Sequence, residues 1–241
     1  QRKLYAEIAE VGRIRTRLLL DAGYKQQHIK SLEKKGLIFL EKKEVIRNPY
    51  GSLFLEKPQS LVLNEEQNAA FARLSALLCD EKPRAALLYG VTGSGKTGVI
   101  LALCEKALSE HKTAIVLIPE IALTWQSVTA FTSRFGERIA VMHSGLSDGE
   151  RFDAYKRIRR GEIDIVLGTR SAIFAPIPNL GLIVIDEEQE SAYKSDMSPK
   201  YHARDIAKFR AASANALLVM ASATPSIESF YEAECGKYEL I

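Results

Sequence analysis

The chain has 241 residues, of which 46% are hydrophobic and 26% are charged, and its formal net charge is +3. This length and hydrophobic share allow one large or two modest domains with packed cores. No run of about 18 apolar residues occurs, and residues 1–15 lack the apolar segment of a signal peptide. The composition therefore excludes a membrane span and predicts a cytoplasmic protein.

The cysteines argue against metal binding and disulfide bonding. Cys79, Cys104 and Cys235 are widely spaced, and no pair has the CxxC spacing of a zinc or redox site. We therefore expect no zinc ligands in this chain and three reduced thiols.

The charges are unevenly divided along the chain. Residues 1–62 carry 13 Lys and Arg against 7 Asp and Glu, whereas residues 63–241 carry 20 against 23. A small basic part joined to a larger, mildly acidic part indicates an accessory nucleic-acid contact, with a solvated basic surface as the alternative.

The first 48 residues form a predicted helical unit that ends in a hairpin. A polar helix is predicted over residues 24–35 and is broken at Gly36. Two short strands are predicted over residues 37–40 and 44–46.

This order of helices and hairpin resembles a winged-helix domain over residues 1–48. In that fold the helix 26–35 would face the DNA major groove, with Lys42 and Lys43 on the wing near phosphates. A winged helix that mediates only protein contacts remains the alternative. Residues 49–62 are rich in turn-forming residues and are predicted to be a linker.

From residue 63 to residue 241 strand and helix patterns alternate, which predicts an α/β domain with a parallel sheet and helices on both faces. In such folds ligands bind beyond the carboxyl ends of the strands. Strands are predicted over residues 85–89, 113–118, 139–142, 163–167, 182–185 and 217–220, and helices over residues 65–79, 97–110, 125–135, 148–160 and 202–212.

Residues 90–97, Gly-Val-Thr-Gly-Ser-Gly-Lys-Thr, match the phosphate-binding pattern GxxxxGK[ST] between a predicted strand and a predicted helix. Backbone N–H groups of such a loop converge on an anion at the helix N-terminus. Lys96 would add a charge at the β- and γ-phosphates, and the Thr97 hydroxyl would be a ligand for Mg²⁺. A glycine-rich turn that matches by chance is the alternative. The candidate nucleotide-binding residues are Gly93, Ser94, Gly95, Lys96 and Thr97.

A second motif follows the apolar strand 182–185 and begins 90 residues after Lys96. Asp186 would hold Mg²⁺, and Glu187 would orient and deprotonate the attacking water. A solvated acidic turn is the alternative, but the phosphate loop in the same chain favours the catalytic interpretation. Lys96, Asp186 and Glu187 are the predicted catalytic residues.

Together these segments resemble the first motor lobe of a superfamily 2 helicase, and they are most similar to the primosomal replication-restart helicases of bacteria. The matching segments are Leu-Asn-Glu-Glu-Gln at 63–67, the phosphate loop, Ile-Pro-Glu-Ile-Ala-Leu-Thr at 118–124, His-Ser-Gly-Leu-Ser at 143–147, residues 168–176, the acidic motif, Tyr-His-Ala-Arg-Asp at 201–205 and Ser-Ala-Thr-Pro-Ser at 222–226. The resemblance implies a RecA-like P-loop lobe, the cofactors ATP and Mg²⁺, and an ATP-dependent 3′–5′ DNA helicase.

The resemblance also implies roles for individual residues. The Gln67 amide would bind the adenine edge of ATP, although a surface position is the alternative. Thr169, Arg170 and Ser171 would bind the phosphates of one DNA strand, with an internal ion pair as the alternative for Arg170. Tyr193 would stack on DNA bases within a loop, residues 189–200, that senses single-stranded DNA in the family.

Ser222 and Thr224 are expected to couple nucleotide state to motion by exchanging hydrogen bonds with Asp186 or Gln189. A helix cap is the other interpretation of this segment. The chain has Gln189 where the family commonly has His, and the loop 189–200 is poor in aromatic residues.

The family also has a second motor lobe and a cysteine-rich zinc module, neither of which is in these 241 residues. We therefore expect a fragment that binds ATP and DNA but hydrolyses ATP slowly. The expected partners are forked and single-stranded DNA, replication-restart proteins and single-strand-binding proteins. The alternatives are a fork-remodelling DNA translocase, and a DNA-binding module with little catalysis of its own.

Overall fold

The computed structural model describes residues 2–12, 14, 16–41, 49–50, 60–80, 82 and 84–241. The chain divides into two compact units, Gln1–Val45 and Ile46–Ile241. Lys42, Lys43 and the predicted strand 44–46 lie outside the described residues. Across the described part of the chain, no helix combines the length and the hydrophobicity that a bilayer crossing requires.

The smaller unit is helical where the structure describes it. The Tyr24 hydroxyl donates a hydrogen bond of 2.6 Å to the carboxylate of Glu7, which lies 17 positions earlier in the sequence. Its helices are α1 (Arg2–Val11), α2 (Thr16–Asp21) and α3 (Gln26–Lys34). They bury a small apolar cluster of Leu4, Leu19, Ile29 and Leu32.

The prediction of a strand over residues 37–40 is wrong, since the structure has bends and irregular backbone there. Gly36 adopts a left-handed φ of 68°, and the Leu37 N–H donates back to Leu32 O at 3.1 Å. These bonds close the end of α3 as a glycine-terminated helix does. Residues 37–40 therefore pair with no strand among the described residues.

The larger unit is built on a sheet of seven strands in the order β3-β4-β2-β5-β6-β1-β7, and all of its pairings are parallel. This confirms the predicted α/β class with a parallel sheet. The strands are β1 (Arg84–Tyr89), β2 (Thr113–Leu117), β3 (Ile139–Met142), β4 (Ile165–Gly168), β5 (Leu180–Asp186), β6 (Leu217–Ser222) and β7 (Glu239–Leu240). The helices are α4 (Glu65–Leu78), α5 (Lys96–Ser109), α6 (Trp125–Phe135), α7 (Asp148–Arg159), α8 (Ala203–Ala214) and α9 (Ile227–Glu234).

Both faces of the sheet are covered. On β2, for example, Ala114 and Val116 belong to an apolar cluster that includes residues of α4, α5 and α6, whereas Ile115 and Leu117 belong to a separate cluster that includes residues of α7, α8 and α9. Because side chains alternate along a strand, a strand covered on both faces is a continuous apolar run. This is why the central strands were predictable from short apolar segments.

Side-chain caps fix where several helices begin. Asn64 and Gln67 form a reciprocal capping box at the start of α4, and Thr124 caps α6. Caps satisfy backbone N–H groups that have no partner within the helix. They also set the direction of the loops that precede each helix at the carboxyl end of the sheet.

The strand order divides that carboxyl end into two neighbouring regions. The phosphate loop follows β1 and the acidic motif follows β5, and both strands pair with β6. We call this region the β5–β6–β1 edge. The loops after β2, β3 and β4 form a second region, the β3–β4–β2 edge, and the two regions meet where β2 pairs with β5.

Candidate functional site

The phosphate loop has the backbone geometry of an anion site. Gly93 and Gly95 adopt left-handed φ values of 80° and 82°, which glycine tolerates without a steric penalty. The loop leads directly into α5, whose first residue is Lys96. Lys96 Nζ donates to Gly90 O at 2.7 Å and to Val91 O at 3.3 Å, so the loop folds around its own lysine.

Gln67 lies against this loop. Its Nε2 donates to Ser94 O at 2.8 Å, and its Oε1 accepts from Asn64 N at 2.9 Å. Each end of the amide keeps one further hydrogen-bonding position, because the NH₂ group has two hydrogens and the oxygen has two lone pairs. Its role in binding adenine stays a prediction.

The acidic motif begins where β5 ends, at Asp186. The pKa of Asp186 is raised to about 6, first by burial and then by the charge of Glu187, while the Glu187 N–H and Lys96 act in the opposite direction. The influence of Lys96 means that the cation and this carboxylate lie within electrostatic range of one another. A cation and an acid from distant parts of the sequence therefore converge at the β5–β6–β1 edge.

Glu187 has an unusual backbone conformation. Its φ is 48°, in the left-handed region that residues other than glycine seldom adopt. Its Oε2 accepts from Gln189 Nε2 at 3.0 Å. Such conformations are found preferentially at functional sites, where the surrounding structure holds them.

Ser222 connects the loops on either side of β6. Its Oγ donates to Gln189 Oε1 at 2.6 Å, and its backbone oxygen accepts from Gly90 N at 3.2 Å. Thr224 takes part through its backbone, whose N–H donates to Ser222 Oγ at 2.9 Å. The structure thus brings together Ser222 and Gln189, and the predicted coupling role of both stays a prediction.

Sequence reasoning gave no role to Glu188, although it is the most buried of the three acids at 1% exposed. Its Oε2 accepts from Arg204 Nη1 at 2.8 Å and from Ser229 Oγ at 3.0 Å, and its Oε1 accepts from Ser226 N at 2.7 Å. The available signal was the arginine in the Tyr-His-Ala-Arg-Asp segment, since three adjacent acids near a buried strand need a cation.

A second feature occupies the β3–β4–β2 edge. It is an open pocket of about 340 Å³ between the loops that follow these three strands and the segment after β5 that contributes Ala192, Tyr193 and Tyr201. The predicted DNA contacts Thr169, Arg170 and Ser171 all line it. The lining also includes Glu120, His143 and Tyr201.

Arg170 is held by backbone oxygens rather than by an acid. Its Nη1 donates to Ala192 O at 3.1 Å and to Lys194 O. Its guanidinium carbon lies 5.8 Å from the centre of the Tyr201 ring. Both of these hydrogen bonds use the Nη1 atom of Arg170. The binding of DNA phosphates by Arg170 stays a prediction.

The predicted stacking of Tyr193 on DNA bases is wrong for this structure, because its side chain is only 1% exposed. The Tyr193 hydroxyl donates to Asp186 O at 2.6 Å and lies 3.1 Å from Leu117 O. Burial is the main cause that raises the pKa of Tyr193 above its ordinary value. The ring therefore joins the ends of β2 and β5 instead of offering a face to DNA.

Comparisons with known proteins agree with this geometry. A family model described as DEAD/DEAH box helicase matches residues 64–233. The chain is 49% identical over 213 residues to the Replication restart protein PriA of Bacillus subtilis, covering 88% of this chain and 26% of that protein. It is 44% identical over 222 residues to the Replication restart protein PriA of Chlamydia trachomatis, covering 92% and 28%. The chain thus spans about a quarter of the length of these relatives.

Two solved structures share the fold at low sequence identity. The Pyrococcus furiosus Hef helicase domain superposes with a TM-score of 0.53 at 18% identity, over 74% of this chain and 38% of that chain. The UvsW helicase from bacteriophage T4 superposes with a TM-score of 0.53 at 14% identity, over 89% and 76%. From the family match over most of its length, this chain belongs to the DEAD/DEAH box helicases.

Proposed function

We propose that this chain is the ATP-binding lobe of a DNA helicase that moves 3′ to 5′ along one strand and acts in primosome assembly and the restart of stalled replication forks. The observation that supports this most is the convergence of Lys96 and Asp186 from the two strands that flank β6. A cation and a carboxylate in this arrangement suit phosphoryl transfer. The similarity to proteins named Replication restart protein PriA supports the DNA substrate and the cellular role.

In this proposal the phosphate loop binds the triphosphate of ATP. The N–H groups of Gly93 and Gly95 would face an anion at the start of α5, Ser94 would exchange its 3.1 Å N–H contact with Val91 O for the phosphates, and Lys96 would exchange its loop carbonyls for the β- and γ-phosphates. Gln67 binds the adenine edge with the hydrogen-bonding positions that Ser94 and the α4 cap leave available.

Asp186 and Thr97 are the residues that would hold Mg²⁺. A partly buried carboxylate whose pKa is raised to about 6 is poorly solvated, and a divalent cation would compensate its charge. These oxygen donors are of the type Mg²⁺ prefers. When bound, Mg²⁺ neutralises charge on the phosphates.

Glu187 accepts the proton of the attacking water in this proposal. Its carboxylate is oriented by Gln189, which in turn accepts from Ser222. A change at the phosphate loop reaches Ser222 through the Gly90 N–H. This chain of bonds supports a coupling role for Gln189, Ser222 and Thr224.

The β3–β4–β2 edge is the proposed path of the DNA strand, with Thr169, Arg170 and Ser171 near the phosphates. Arg170→Ala should therefore lower DNA-stimulated ATP turnover more than basal turnover. Lys42 and Lys43 of the proposed winged helix would contact duplex phosphates at a fork. Single-strand-binding and other replication-restart proteins are the proposed protein partners.

Strand displacement on forked DNA tests the proposal, with wild type, Lys96→Ala and Glu187→Gln compared in the helicase that contains this chain. Lys96→Ala should weaken nucleotide binding, whereas Glu187→Gln should retain it and stop hydrolysis. Both should bind DNA and fail to unwind it. Equal loss of nucleotide affinity in the two variants contradicts the assigned roles, and unwinding by Lys96→Ala contradicts the motor itself.

A further inference from the structure

Helix α8 carries two arginines that bind different segments of the larger unit. Arg204, in its first turn, donates to Glu188 of the acidic motif at 2.8 Å. Arg210, further along the helix, donates from Nη1 to Ala175 O at 3.0 Å and also to Ile173 O. Six residues separate the two arginines, which is about 9 Å along a helix axis. One helix therefore contacts the acidic motif near its start and a second segment further along.

The second segment is the short 3₁₀ helix Arg170–Phe174 that follows β4. We call it the 170–174 turn; its first residue lines the pocket at the β3–β4–β2 edge. Carbonyl groups at the end of a helix have no partner within that helix. Ile173 and Ala175 are fully buried, where an unpaired carbonyl costs free energy. Arg210 therefore stabilises the end of this turn from outside it.

The Arg210 side chain is partly removed from water at this contact. Burial is the main cause that lowers the pKa of Arg210, but a guanidinium group stays charged at physiological pH. Hydrogen bonds from a charged donor are roughly twice as strong as bonds between neutral groups. A strong donor on α8 therefore fixes the backbone of the 170–174 turn.

The inner face of α8 is closely packed. Ala203, Ala207 and Ala211 are buried at intervals of four residues, and they share an apolar cluster with Ile173 of the turn and Ile185 of β5. Alanine has no rotamers through which such a face could adjust, and close-packed interiors transmit strain. A displacement of the 170–174 turn is therefore passed to α8 as a whole.

We propose that α8 connects the DNA path to the acidic motif, with Arg210 as a positioning residue that holds the 170–174 turn. The inference rests on the proposed function and names a route between its two sites. A DNA phosphate bound at the turn would fix the turn, and α8 would follow through Arg210. Arg204 would pass the shift to Glu188, which is adjacent to the proposed base Glu187.

The Ser226 N–H is a reporter of the last step of this route. It donates to Glu188 Oε1 at 2.7 Å, so its hydrogen exchange depends on how firmly the Glu188 carboxylate is held. Ser226 lies outside both α8 and the 170–174 turn. A change in its exchange on DNA binding therefore shows that the effect has reached the acidic motif.

Three variants of the helicase that contains this chain test the proposal, each with a saturating deoxythymidine oligonucleotide so that a change in DNA affinity does not enter. Arg210→Met removes the donor but keeps an apolar stem. Arg210→Lys supplies a charged donor again, and because both bonds come from the single Nη1 atom, one ammonium group with three N–H donors can replace them. Arg159→Met removes an exposed arginine from the last turn of α7 as the control.

Two quantities are measured, the ratio of DNA-stimulated to basal ATP turnover and the hydrogen-exchange rate of the Ser226 N–H. In wild type the oligonucleotide should raise turnover and slow this exchange. Arg210→Met should lower the ratio about tenfold, within the usual range of coupling between two sites, with a smaller fall in basal turnover, and should lose the slowing. Arg210→Lys should recover both, and Arg159→Met should match wild type.

Wild-type values of both quantities in Arg210→Met overturn the role of α8 while leaving the proposed function intact. So does an Arg210→Lys variant that behaves as Arg210→Met, and so does an equal fall in basal and stimulated turnover, which a general loss of stability would give. If Arg210→Met does not fold, wild type decides: DNA that stimulates turnover without slowing exchange at Ser226 overturns the inference. A wild-type helicase whose turnover DNA does not stimulate contradicts the proposed function itself.

Discussion

Glu188 and Arg204 form a buried ion pair of 2.8 Å directly behind the acidic turn, with the Glu188 side chain fully buried. The Glu188 carboxylate also accepts from Ser226 and Ser229 at the start of α9, while Arg204 lies in the first turn of α8. Contacts of the Glu188 carboxylate therefore hold together the acidic motif, the start of α8 and the start of α9.

Breaking this pair should destabilise the fold strongly, because either partner alone would be a buried, uncompensated charge. We expect Glu188→Gln to lower the free energy of unfolding by about 3 kcal/mol, and Glu188→Gln with Arg204→Met to recover part of that loss. Urea unfolding of the single and double variants measures the coupling between the two sites.

The Arg73–Glu239 pair is a matched control, since its two side chains are 50% and 48% exposed at 2.5 Å. Glu239→Gln should cost less than about 1 kcal/mol. Strictly additive effects of Glu188→Gln and Arg204→Met would contradict a coupled pair.

Gly95→Ala should perturb the phosphate loop more than Gly93→Ala. Both positions have φ values near 80°, which an alanine tolerates poorly. At Gly95 the new Cβ would also overlap Gln67 Nε2, whereas at Gly93 nothing lies within 4 Å. Displacement of the Gln67 amide would break its bond to Ser94, which adds about 1 kcal/mol to the loss.

Making both glycine substitutions in a Gln67→Ala variant tests whether overlap with the Gln67 amide causes the difference. Once the amide is absent, thermal unfolding should give Gly95→Ala and Gly93→Ala similar destabilisation. A difference that persists in that background would mean that Gln67 is not the cause.

Asp186→Asn should stabilise the chain in the absence of nucleotide. The pKa of Asp186 is about 6 in the fold, above its ordinary value near 4, so folding favours the protonated form. Its contribution to stability is therefore fully present below about pH 4 and is lost as the pH rises through 6. At about pH 7.5 the variant should gain about 1 kcal/mol, a value reduced for the partial exposure of the side chain.

This gain should shrink steadily as the pH is lowered from 7 to 4 in a series of urea unfolding experiments. Asp196→Asn, at an exposed position in the following loop, serves as the control for the removal of a surface charge. A gain independent of pH would contradict the role of ionisation.

Ser222→Ala should uncouple DNA binding from ATP turnover. The variant loses the 2.6 Å bond to Gln189 but keeps the backbone contact with Gly90. Under the proposed function, DNA stimulation of ATP turnover should fall about fivefold, corresponding to one hydrogen bond of about 1 kcal/mol, and basal turnover should fall by a smaller factor because Gln189 still contacts Glu187.

Thr224→Ala is the comparison for this variant, because only the backbone N–H of Thr224 contacts Ser222. It should have the smaller effect on stimulation. If the two variants behave alike, the Ser222 hydroxyl is not the coupling group.

Local sequence determined most of the larger unit. The predicted bounds of β3 and α6 match Ile139–Met142 and Trp125–Phe135, because a short apolar run and a capped amphipathic segment each carry their own signal. By contrast, β7 comprises only Glu239 and Leu240, both exposed, and its position depends on pairing with β1. A pattern of two residues contains no period to detect.

The parts of the site that sequence missed depend on contacts across the fold. Glu187 and Glu188 are adjacent and chemically alike, yet Glu188 is buried against Arg204 while Glu187 is partly exposed. The family resemblance implied a Tyr193 ring that is accessible to DNA bases, but its hydroxyl lies 3.1 Å from Leu117 O, which is 76 positions away in sequence. Neither outcome has a signature within a window of neighbouring residues.

The position of Tyr193 has a mechanical consequence. The Tyr193 hydroxyl contacts the last residue of β2 and the last residue of β5. These two paired strands are where the β3–β4–β2 edge meets the β5–β6–β1 edge. A shift of the backbone at Leu117 would therefore act on the backbone of Asp186 through this hydroxyl. Tyr193→Phe would remove this bridge while preserving the ring, and would leave the backbone pairing of β2 with β5 as the connection between the two regions.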